Sequence, residues 1–224
     1  MTNTEIVEQT IAFVKETLQG AEGGHDWFHI ERVFKNTLLI AKDEKVDILV
    51  VSLGALLHDI ADAKFHDGDE SIGPQMARTF LHSLKIDSKV IAHVVKIIEN
   101  ISFKSSLRSE KSKANNAAFS SMELQVVQDA DRLDAIGAIG IARAFNYGGF
   151  KNRELYNPEI PYRAGMTKAA YKKSNSPTIN HFYEKLLLLK DLMNTETGKK
   201  IAEERHQFML HYLKQFYSEW DGTA

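Results

Sequence analysis

Residues 48–60, which read ILVVSLGALLHDI, are apolar at almost every position and decide the fold class of this chain. A helix that is apolar on every side belongs in the interior of a protein. A strand over residues 48–51 is the alternative, but the apolar run continues through Leu57, which favours a helix. The segment therefore predicts the central helix of a core, and this helix ends in the polar pair His58-Asp59.

Helical patterns extend over most of the remaining chain, with apolar residues three or four positions apart. Asp87 is an expected N-cap, and the glycines at 20 and 148–149 are expected helix ends. The segment 150–177 contains three of the four prolines and predicts an extended loop with a short helical piece. No linker separates two cores, so the sequence predicts one all-α domain. The predicted helices cover residues 6–18, 26–41, 48–60, 71–84, 88–99, 122–145, 180–193 and 197–220.

Length and composition are those of an ordinary globular protein. The chain has 224 residues, of which 43% are hydrophobic and 26% are charged, and a single domain can reach this size. The net charge of −2 and the pI near 6.5 argue against a general nucleic-acid binder, which usually has a strongly basic face. Cysteine is absent, which excludes disulfides, thiolate zinc sites and a cysteine nucleophile.

Targeting and membrane segments are not expected. Residues 1–20 lack a basic start followed by a continuous apolar run, so they do not resemble a signal peptide. No apolar stretch approaches the ~18 residues that suggest a membrane span. We therefore expect a cytoplasmic protein.

The pair His58-Asp59 places polar groups where the apolar helix would otherwise continue. Burying an unpaired carboxylate costs several kcal/mol, and binding a cation offsets this cost. Neighbouring helical residues point about 100° apart, so both side chains can reach one ion at the helix end. The alternative is that His58 caps the helix and Asp59 begins the loop, which is the commoner meaning of an isolated pair.

Two further segments contain candidate ligands. In the segment HDWFH at 25–29, His25 and His29 lie one helical turn apart; alternatively, Asp26 caps the helix and the histidines pack on Trp27.

The other segment, QDADRLD at 128–134, puts three aspartates into a long apolar helix. A solvated helix face would accommodate Asp129 and Arg132, but not easily Asp131 and Asp134. The excess of carboxylates in an apolar helix is therefore a third indication of a metal site.

In this order, on separate helices, these segments resemble the HD-domain phosphohydrolase superfamily and, within it, the bacterial YedJ/YpgQ-type group. The matching motifs are HDWFH at 25–29, LHDI at 57–60 and DADRLDAIG at 129–137. Several motifs in the right order make the resemblance specific. It implies an HD-domain helical bundle over residues 1–224. The metal-site core would cover residues about 20–150, a basic loop about 148–177 and additional C-terminal helices about 178–220.

The resemblance implies that His29, His58, Asp59 and Asp131 bind one divalent metal, with Asp131 rather than Asp129 as the motif's aspartate. Two imidazoles, two carboxylates and water suit six-coordinate Mn²⁺, Mg²⁺, Fe²⁺, Co²⁺ or Ni²⁺. They suit tetrahedral structural zinc less well, because a hydrolytic site keeps open positions.

A single metal is expected. Related sequences often carry a further histidine in the segment that corresponds to residues 98–103, and this chain has none there. His93 lies two turns before that segment, and a histidine with other partners is the better interpretation of it.

The catalytic candidates are Asp59 and Asp62. Asp62 lies one helical turn after His58, and the resemblance implies proton transfer by an acidic residue at this position. Asp62 is therefore a candidate general acid or base, although an exposed carboxylate at a helix end is the alternative.

Positive charge is concentrated in two irregular segments. Residues 104–113 hold four cations against one glutamate, and residues 148–176 hold six cations against two glutamates. A cationic rim over a metal site would attract a polyphosphate, although an ordinary solvated loop is the alternative. Lys64, Lys104 and Arg132 are the candidate phosphate contacts, and Arg132 has the alternative role of orienting a carboxylate.

The activity implied by the resemblance is metal-dependent hydrolysis of (deoxy)nucleoside triphosphates to monophosphate and pyrophosphate. Alternative substrates are nucleoside monophosphates, cyclic nucleotides and guanosine tetraphosphate, which would make the protein a phosphomonoesterase or a phosphodiesterase. Two alternatives belong to other classes. One is a metal-bearing domain that senses a nucleotide without hydrolysing it, and the other is an interaction protein whose His-Asp pairs are structural.

The expected partner is a small nucleotide or another phosphorylated molecule, with neither nucleic acid nor a membrane. The last predicted helix is apolar enough to pair two subunits in a homodimer or to pack internally, and internal packing is the default. Its large apolar residues are Phe208, Met209, Tyr212, Leu213, Phe216 and Tyr217.

Overall fold

The computed structural model describes residues 1–21, 26–61, 69–101, 119–163, 165 and 175–223. Over these ranges the chain forms nine α-helices and one 3₁₀ helix, and it contains no strand there. The all-α prediction is therefore confirmed. Within the same ranges, no helix combines the length and the apolar character that crossing a bilayer requires.

Most helices begin and end within a few residues of their predicted bounds. In chain order they are α1 (Asn3–Thr17), α2 (Trp27–Ile40), α3 (Ile48–Leu57), α4 (Ile72–Ser83), α5 (Ser88–Asn100), α6 (Met122–Asp134), α7 (Gly137–Phe150), α8 (Thr178–Glu184) and α9 (Glu196–Trp220). The 3₁₀ helix, Leu186–Leu192, follows α8. The exceptions are the predicted helices at 122–145 and 180–193, each of which is divided in two.

The chain divides into two compact units, Met1–Asp131 and Arg132–Ala224. In the first unit, α3 packs against α1, α2 and α5, and α4 packs against α5. Every residue of α3 from Val50 to Leu57 is buried, which confirms the predicted place of this helix at the centre of a core. That the whole chain is one domain stays a prediction.

Aspartate caps begin α2, α3 and α5. Asp26 accepts a hydrogen bond from the backbone N–H of His29 at 3.0 Å, and Asp47 caps α3 in the same way. Asp87, the predicted N-cap of α5, accepts from the backbone N–H of Lys89 at 2.8 Å. These carboxylates satisfy N–H groups that a first helical turn leaves without a partner, so each helix start is fixed locally.

The prediction of one helix over 122–145 is wrong, because the chain breaks between α6 and α7. Ile136 is extended, and Gly137 has a φ of +73°, a left-handed conformation that favours glycine. Leu133 and Ile136 are both fully buried, so the apolar spacing continues through the break and conceals it. The glycines at 148–149, expected to end the helix, lie within α7.

In the second unit, α7 packs against α8 and α9, and the 3₁₀ helix packs against the same two helices. The predicted helix at 180–193 is α8 followed by the 3₁₀ helix, and Lys185 lies between them with a non-helical φ of −146°. On α9, Met209 and Leu213 are buried whereas Phe208 is exposed. Internal packing thus accounts for part of the apolar surface of α9, and a homodimer stays a prediction.

Candidate metal centre

His29 lies in the first turn of α2. Asp26 caps this helix and so fixes the turn on which the histidine stands. His29 is only 2% exposed, and its Nε2 atom lies 3.6 Å from Oδ1 of Asp131. The fold therefore brings the histidine of α2 to a carboxylate of α6.

His58 is the C-cap of α3 and follows the apolar helix directly. Its Nδ1 atom lies 2.8 Å from the carbonyl oxygen of Ala55. Because a carbonyl oxygen only accepts, Nδ1 carries a proton, and the tautomer that this bond selects is the one with the lone pair on Nε2. In metal sites, a hydrogen bond of this kind fixes the ring and raises the basicity of the ligand.

Asp131 of α6 completes the cluster. Its Oδ1 atom lies 3.8 Å from Nε2 of His58, and the rings of His29 and His58 are 5.4 Å apart between centroids. One potential ligand atom from each of the three residues lies within 4.8 Å of the other two. The Asp131 side chain is 40% exposed, so the cluster has two buried imidazoles and one carboxylate that is open to solvent.

The donor set fits a divalent metal. Imidazole and carboxylate are ligands that first-row divalent metals accept together. The Asp131 oxygen is too far from either Nε2 atom for a direct hydrogen bond, yet all three atoms are close enough to share one ion. The structure thus brings together three of the four predicted ligands, and their role as ligands stays a prediction.

Asp59 is the fourth predicted ligand. It follows His58 and is half-buried. Among the described residues, His29, His58 and Asp131 are the three whose potential ligand atoms lie within 4.8 Å of one another. The roles of Asp59 as a ligand and as a catalytic residue therefore stay predictions.

Several predicted residues lie outside the described ranges. They are the catalytic candidate Asp62, the phosphate candidates Lys64 and Lys104, and His25. Their roles stay predictions, as does the cationic rim over residues 104–113.

Arg132 follows Asp131 on α6 and is half-buried. Its Nη1 atom donates a hydrogen bond to the carbonyl oxygen of Leu192 at 2.7 Å. The sequence did not indicate this bond, which ties the last turn of α6 to the end of the 3₁₀ helix. A guanidinium has five N–H donors, so this bond is compatible with phosphate binding by the same side chain. Phosphate binding by Arg132 stays a prediction.

The exposure of the aspartates on α6 agrees only in part with the expectation. Asp129, expected on a solvated face, is fully buried, whereas Asp134, not expected on such a face, is buried as expected. The Asp134 carboxylate forms an ion pair with Arg143 at 2.5 Å. Asp131, also not expected on a solvated face, is half-exposed. The packing of neighbouring helices decides which side of α6 is buried, and the pattern of α6 alone does not specify it.

His93 has other partners, as expected. Its Nε2 atom lies 2.9 Å from the hydroxyl oxygen of Ser121 and 3.5 Å from a carboxylate oxygen of Glu123. The ring also meets Phe119 edge to face. These contacts account for His93 without a metal.

Two amides near the site were missed by the sequence analysis. Asn36 Nδ2 donates to the carbonyl oxygen of Ala130 at 3.4 Å, and Gln128 Nε2 donates to that of Asn100 at 3.0 Å. They join α6 to α2 and α5 close to Asp131. Single amides have no diagnostic spacing in a sequence. The signal for the Asn36 contact was a polar residue within the apolar stripe of α2.

Comparison with known proteins places this geometry in a family. Residues 27–136 match the model of the HD domain. YpgQ of Bacillus subtilis is 36% identical over 217 residues, which cover 96% of this chain and 94% of that protein.

Solved structures agree with this match. An HD-superfamily hydrolase from Bacillus thuringiensis superposes with a TM-score of 0.78 at 41% identity, covering 98% of this chain and 99% of that one. The crystal structure of B. subtilis YpgQ in complex with ADP superposes with a TM-score of 0.73 at 36% identity, covering 98% and 97%. The chain, which brings His29, His58 and Asp131 together, belongs to the HD-domain family of metal-dependent phosphohydrolases.

Proposed function

We propose that the protein hydrolyses (deoxy)nucleoside triphosphates to the nucleoside monophosphate and pyrophosphate. The observation that carries this proposal is the convergence of His29, His58 and Asp131, whose donor atoms lie within 4.8 Å of one another. The crystal structure of B. subtilis YpgQ with ADP supports a nucleotide as the ligand. The choice of a triphosphate follows from the motif resemblance.

His29, His58 and Asp131, together with Asp59, would hold one Mn²⁺, Mg²⁺, Fe²⁺, Co²⁺ or Ni²⁺ ion. Such an ion, when bound, supplies Lewis acidity toward a phosphoryl oxygen and lowers the pKa of water. His58 contributes a ring that cannot turn away without losing its hydrogen bond to the carbonyl oxygen of Ala55. The half-exposed Asp131 carboxylate marks the side from which a substrate would approach.

The remaining predicted residues would act on the proton and on the charge. Asp62 would accept the proton of the attacking water, because it follows His58 by four positions in the sequence and the motif resemblance implies proton transfer by an acidic residue there. A bond forms between the water oxygen and the α-phosphorus, the bridging bond to the β-phosphate breaks, and pyrophosphate leaves. Arg132, Lys64 and Lys104 would offset the negative charge that builds on the phosphate oxygens.

A product-release assay tests the proposal. The full chain is incubated with nucleoside tri- and monophosphates, cyclic nucleotides and guanosine tetraphosphate in Mn²⁺, Mg²⁺, Co²⁺ or Ni²⁺. Pyrophosphate and orthophosphate are quantified separately. We expect equal amounts of pyrophosphate and monophosphate from the triphosphates. Orthophosphate released from monophosphates would instead identify a phosphomonoesterase.

Matched histidine variants assign the activity to the cluster. His58→Ala removes a predicted metal ligand and should abolish turnover. His82→Ala changes an exposed histidine at the end of α4 and should leave turnover unchanged. Equal activity of His58→Ala and the wild type would contradict the proposal. Tight nucleotide binding without either product would identify a sensor.

A further inference from the structure

Two arginines from different helices bind the last turn of α6, the helix on which Asp131 lies about one turn before the end. Arg143 belongs to α7 and Arg205 to α9, and these two helices pack against each other in the second unit. Arg143 Nη1 donates to the backbone carbonyl oxygen of Asp134 at 3.1 Å, and Arg205 Nη1 donates to that of Leu133. The two bonds satisfy carbonyl groups at a helix end, where donors from the helix itself are lacking.

The side chain of Asp134 adds a second contact with the arginines. It is 1% exposed, and its Oδ2 atom accepts a hydrogen bond at 2.5 Å from the same Nη1 atom of Arg143. Burial lowers the pKa of Arg205, and the negative charge of Asp134 partly opposes that shift. A buried carboxylate needs cationic partners of this kind, because burying it unpaired is unfavourable. Asp134, Arg143 and Arg205 are called here the Asp134 cluster.

The turn after α6 is closely packed against the same groups. Gly137 has a φ of +73°, and a Cβ atom on it would lie 3.0 Å from Cγ of Arg205. A Cβ atom on Gly140 would overlap the carbonyl oxygen of Ala135. Because closely packed groups cannot shift independently, the end of α6 is fixed through its carbonyl groups, through a buried carboxylate and through the turn that follows.

We propose that the Asp134 cluster positions the Asp131 carboxylate for the metal. Asp131 and Asp134 are three residues apart on one helix, so a displacement of the last turn moves both. The Oδ1 atom of Asp131 lies 3.6 and 3.8 Å from the two histidine Nε2 atoms, too far for these rings to hold it by direct hydrogen bonds. Its place therefore depends on the helix. The inference rests on the proposed function, because it takes Asp131 as a metal ligand, and the three members of the cluster act as positioning residues.

The Mn²⁺ affinity of the full chain, measured without nucleotide, tests this inference. Free Mn²⁺ is quantified by its electron paramagnetic resonance signal during a titration. We expect the Kd to rise about tenfold for Asp134→Asn and for Arg143→Gln, as when groups that orient metal ligands are removed. Arg143→Lys should recover part of the affinity, because lysine keeps a charged donor. Arg78→Gln, at an exposed position of α4, should bind Mn²⁺ as the wild type does.

A core variant separates positioning from a general loss of stability. Leu213→Ala removes a buried side chain of α9 and should lower the Tm, yet its Kd for Mn²⁺ should stay within twofold of the wild type. All titrations are made well below the Tm of every variant. The double variant Asp134→Asn/Arg143→Gln should bind about as weakly as the weaker single variant, because both changes break the same contact.

Four results would overturn the inference. They are no Mn²⁺ binding by the wild type, a Kd within twofold of the wild type for Asp134→Asn and Arg143→Gln, an equal rise for Leu213→Ala, and a double variant whose loss is the product of the two single losses.

The nucleotide assay keeps this inference distinct from the proposed function. Hydrolysis of triphosphates by a protein whose cluster variants bind Mn²⁺ normally would support the proposed function and overturn the positioning role. If no nucleotide is hydrolysed but the cluster variants lose Mn²⁺ affinity as expected, the proposed function is contradicted and the positioning role is supported.

Discussion

At the scale of single residues, His58 shows how the fold orients a candidate ligand. The Ala55 carbonyl accepts the Nδ1 proton, so the chain's own backbone selects the tautomer whose Nε2 faces Asp131. His29 stands beside it on a turn fixed by the Asp26 cap. The chemistry of the site therefore depends on a few short-range contacts as well as on the long-range packing of three helices.

Asp59→Ala should abolish hydrolysis and lower metal occupancy, because it removes a predicted inner-sphere ligand next to His58. Turnover and metal content by mass spectrometry give the readout. Asp221→Ala, at an exposed carboxylate just after α9, is the matched control. Near-normal turnover by Asp59→Ala would remove Asp59 from the site.

Arg132→Ala should reduce activity while the metal stays bound, because the side chain is predicted to contact phosphate. It should also lower the free energy of unfolding by about 1.5–3 kcal/mol, since a charged donor to the Leu192 carbonyl is lost. Urea unfolding and metal analysis separate the two effects. If the metal is lost instead, Arg132 supports the ligands and does not bind the substrate.

His181 should make the protein less stable in mild acid. Its ordinary pKa is 6.5, and burial and the neighbouring cations Lys185 and Arg153 lower it to about 3 in the folded state. Between these values the unfolded chain binds a proton that the folded chain does not. The stability present above pH 6.5 is therefore lost as the pH falls toward 3, by at most about 1.4 kcal/mol per pH unit.

The check on this pH effect is a comparison of variants in buffer without polyvalent anions. His181→Asn should flatten the dependence of the unfolding free energy on pH between 6.5 and 3. His211→Asn, at an exposed position of α9, should leave the slope as in the wild type. Identical slopes for the wild type and His181→Asn would refute the assignment.

At the scale of elements, the break between α6 and α7 separates the helix that carries Asp131 from the helix that follows. Gly137 makes the turn at a φ of +73°. A Cβ atom at this position would lie 3.0 Å from Cγ of Arg205, whose Nη1 atom donates to the carbonyl oxygen of Leu133. The turn therefore has both a conformational and a steric need for glycine.

Gly137→Ala should cost about 1–2 kcal/mol of stability from the left-handed backbone alone, with the contact at Arg205 in addition. Gly149→Ala is the matched control, because Gly149 lies within α7 and a Cβ there meets nothing within 4 Å. That control should be neutral or stabilising by about 0.5–1 kcal/mol. Chemical denaturation measures both variants, and equal stability of the two would contradict this explanation of the break.

Sequence pattern predicts the elements well where local signals decide the structure. The apolar run of α3 and the caps at Asp26 and Asp87 are local signals, and the structure has the helices where these signals put them. The break at Gly137 has no such signal, because buried residues continue on both sides of it. The change to a 3₁₀ helix after Lys185 is likewise set by packing in the second unit.

The candidate site follows the same division. Motif order identified His29, His58 and Asp131, and the structure brings these three together. Motif order did not predict the burial of Asp129 or the hydrogen bond of the Asn36 amide, because burial and single hydrogen bonds depend on which helix lies opposite. Local sequence thus specifies the types of the candidate ligands, and tertiary packing specifies their surroundings.

At the scale of the whole molecule, charge is unevenly distributed along a chain of net charge −2. Basic residues outnumber acidic ones in 104–113 and 148–176, and a polyanionic small molecule as the partner of these segments stays a prediction. A homodimer, a cytoplasmic location and the identity of the metal stay predictions at this scale.

Metal binding should stabilise the folded protein. A ligand that binds only the folded state raises the unfolding free energy by about 2.7 kcal/mol at a hundred times its Kd. Mn²⁺ added to chelator-treated protein should therefore raise the Tm, and the rise should disappear in His29→Ala. A similar rise in that variant would place the stabilising ion elsewhere.

The most direct measurement is an anomalous difference map from crystals of the full chain grown with Mn²⁺. We predict one strong peak per chain, within coordination distance of Nε2 of His29, Nε2 of His58 and a carboxylate oxygen of Asp131. No peak at this position under saturating Mn²⁺, or a peak held by other residues, would contradict the assignment of these side chains to a shared metal.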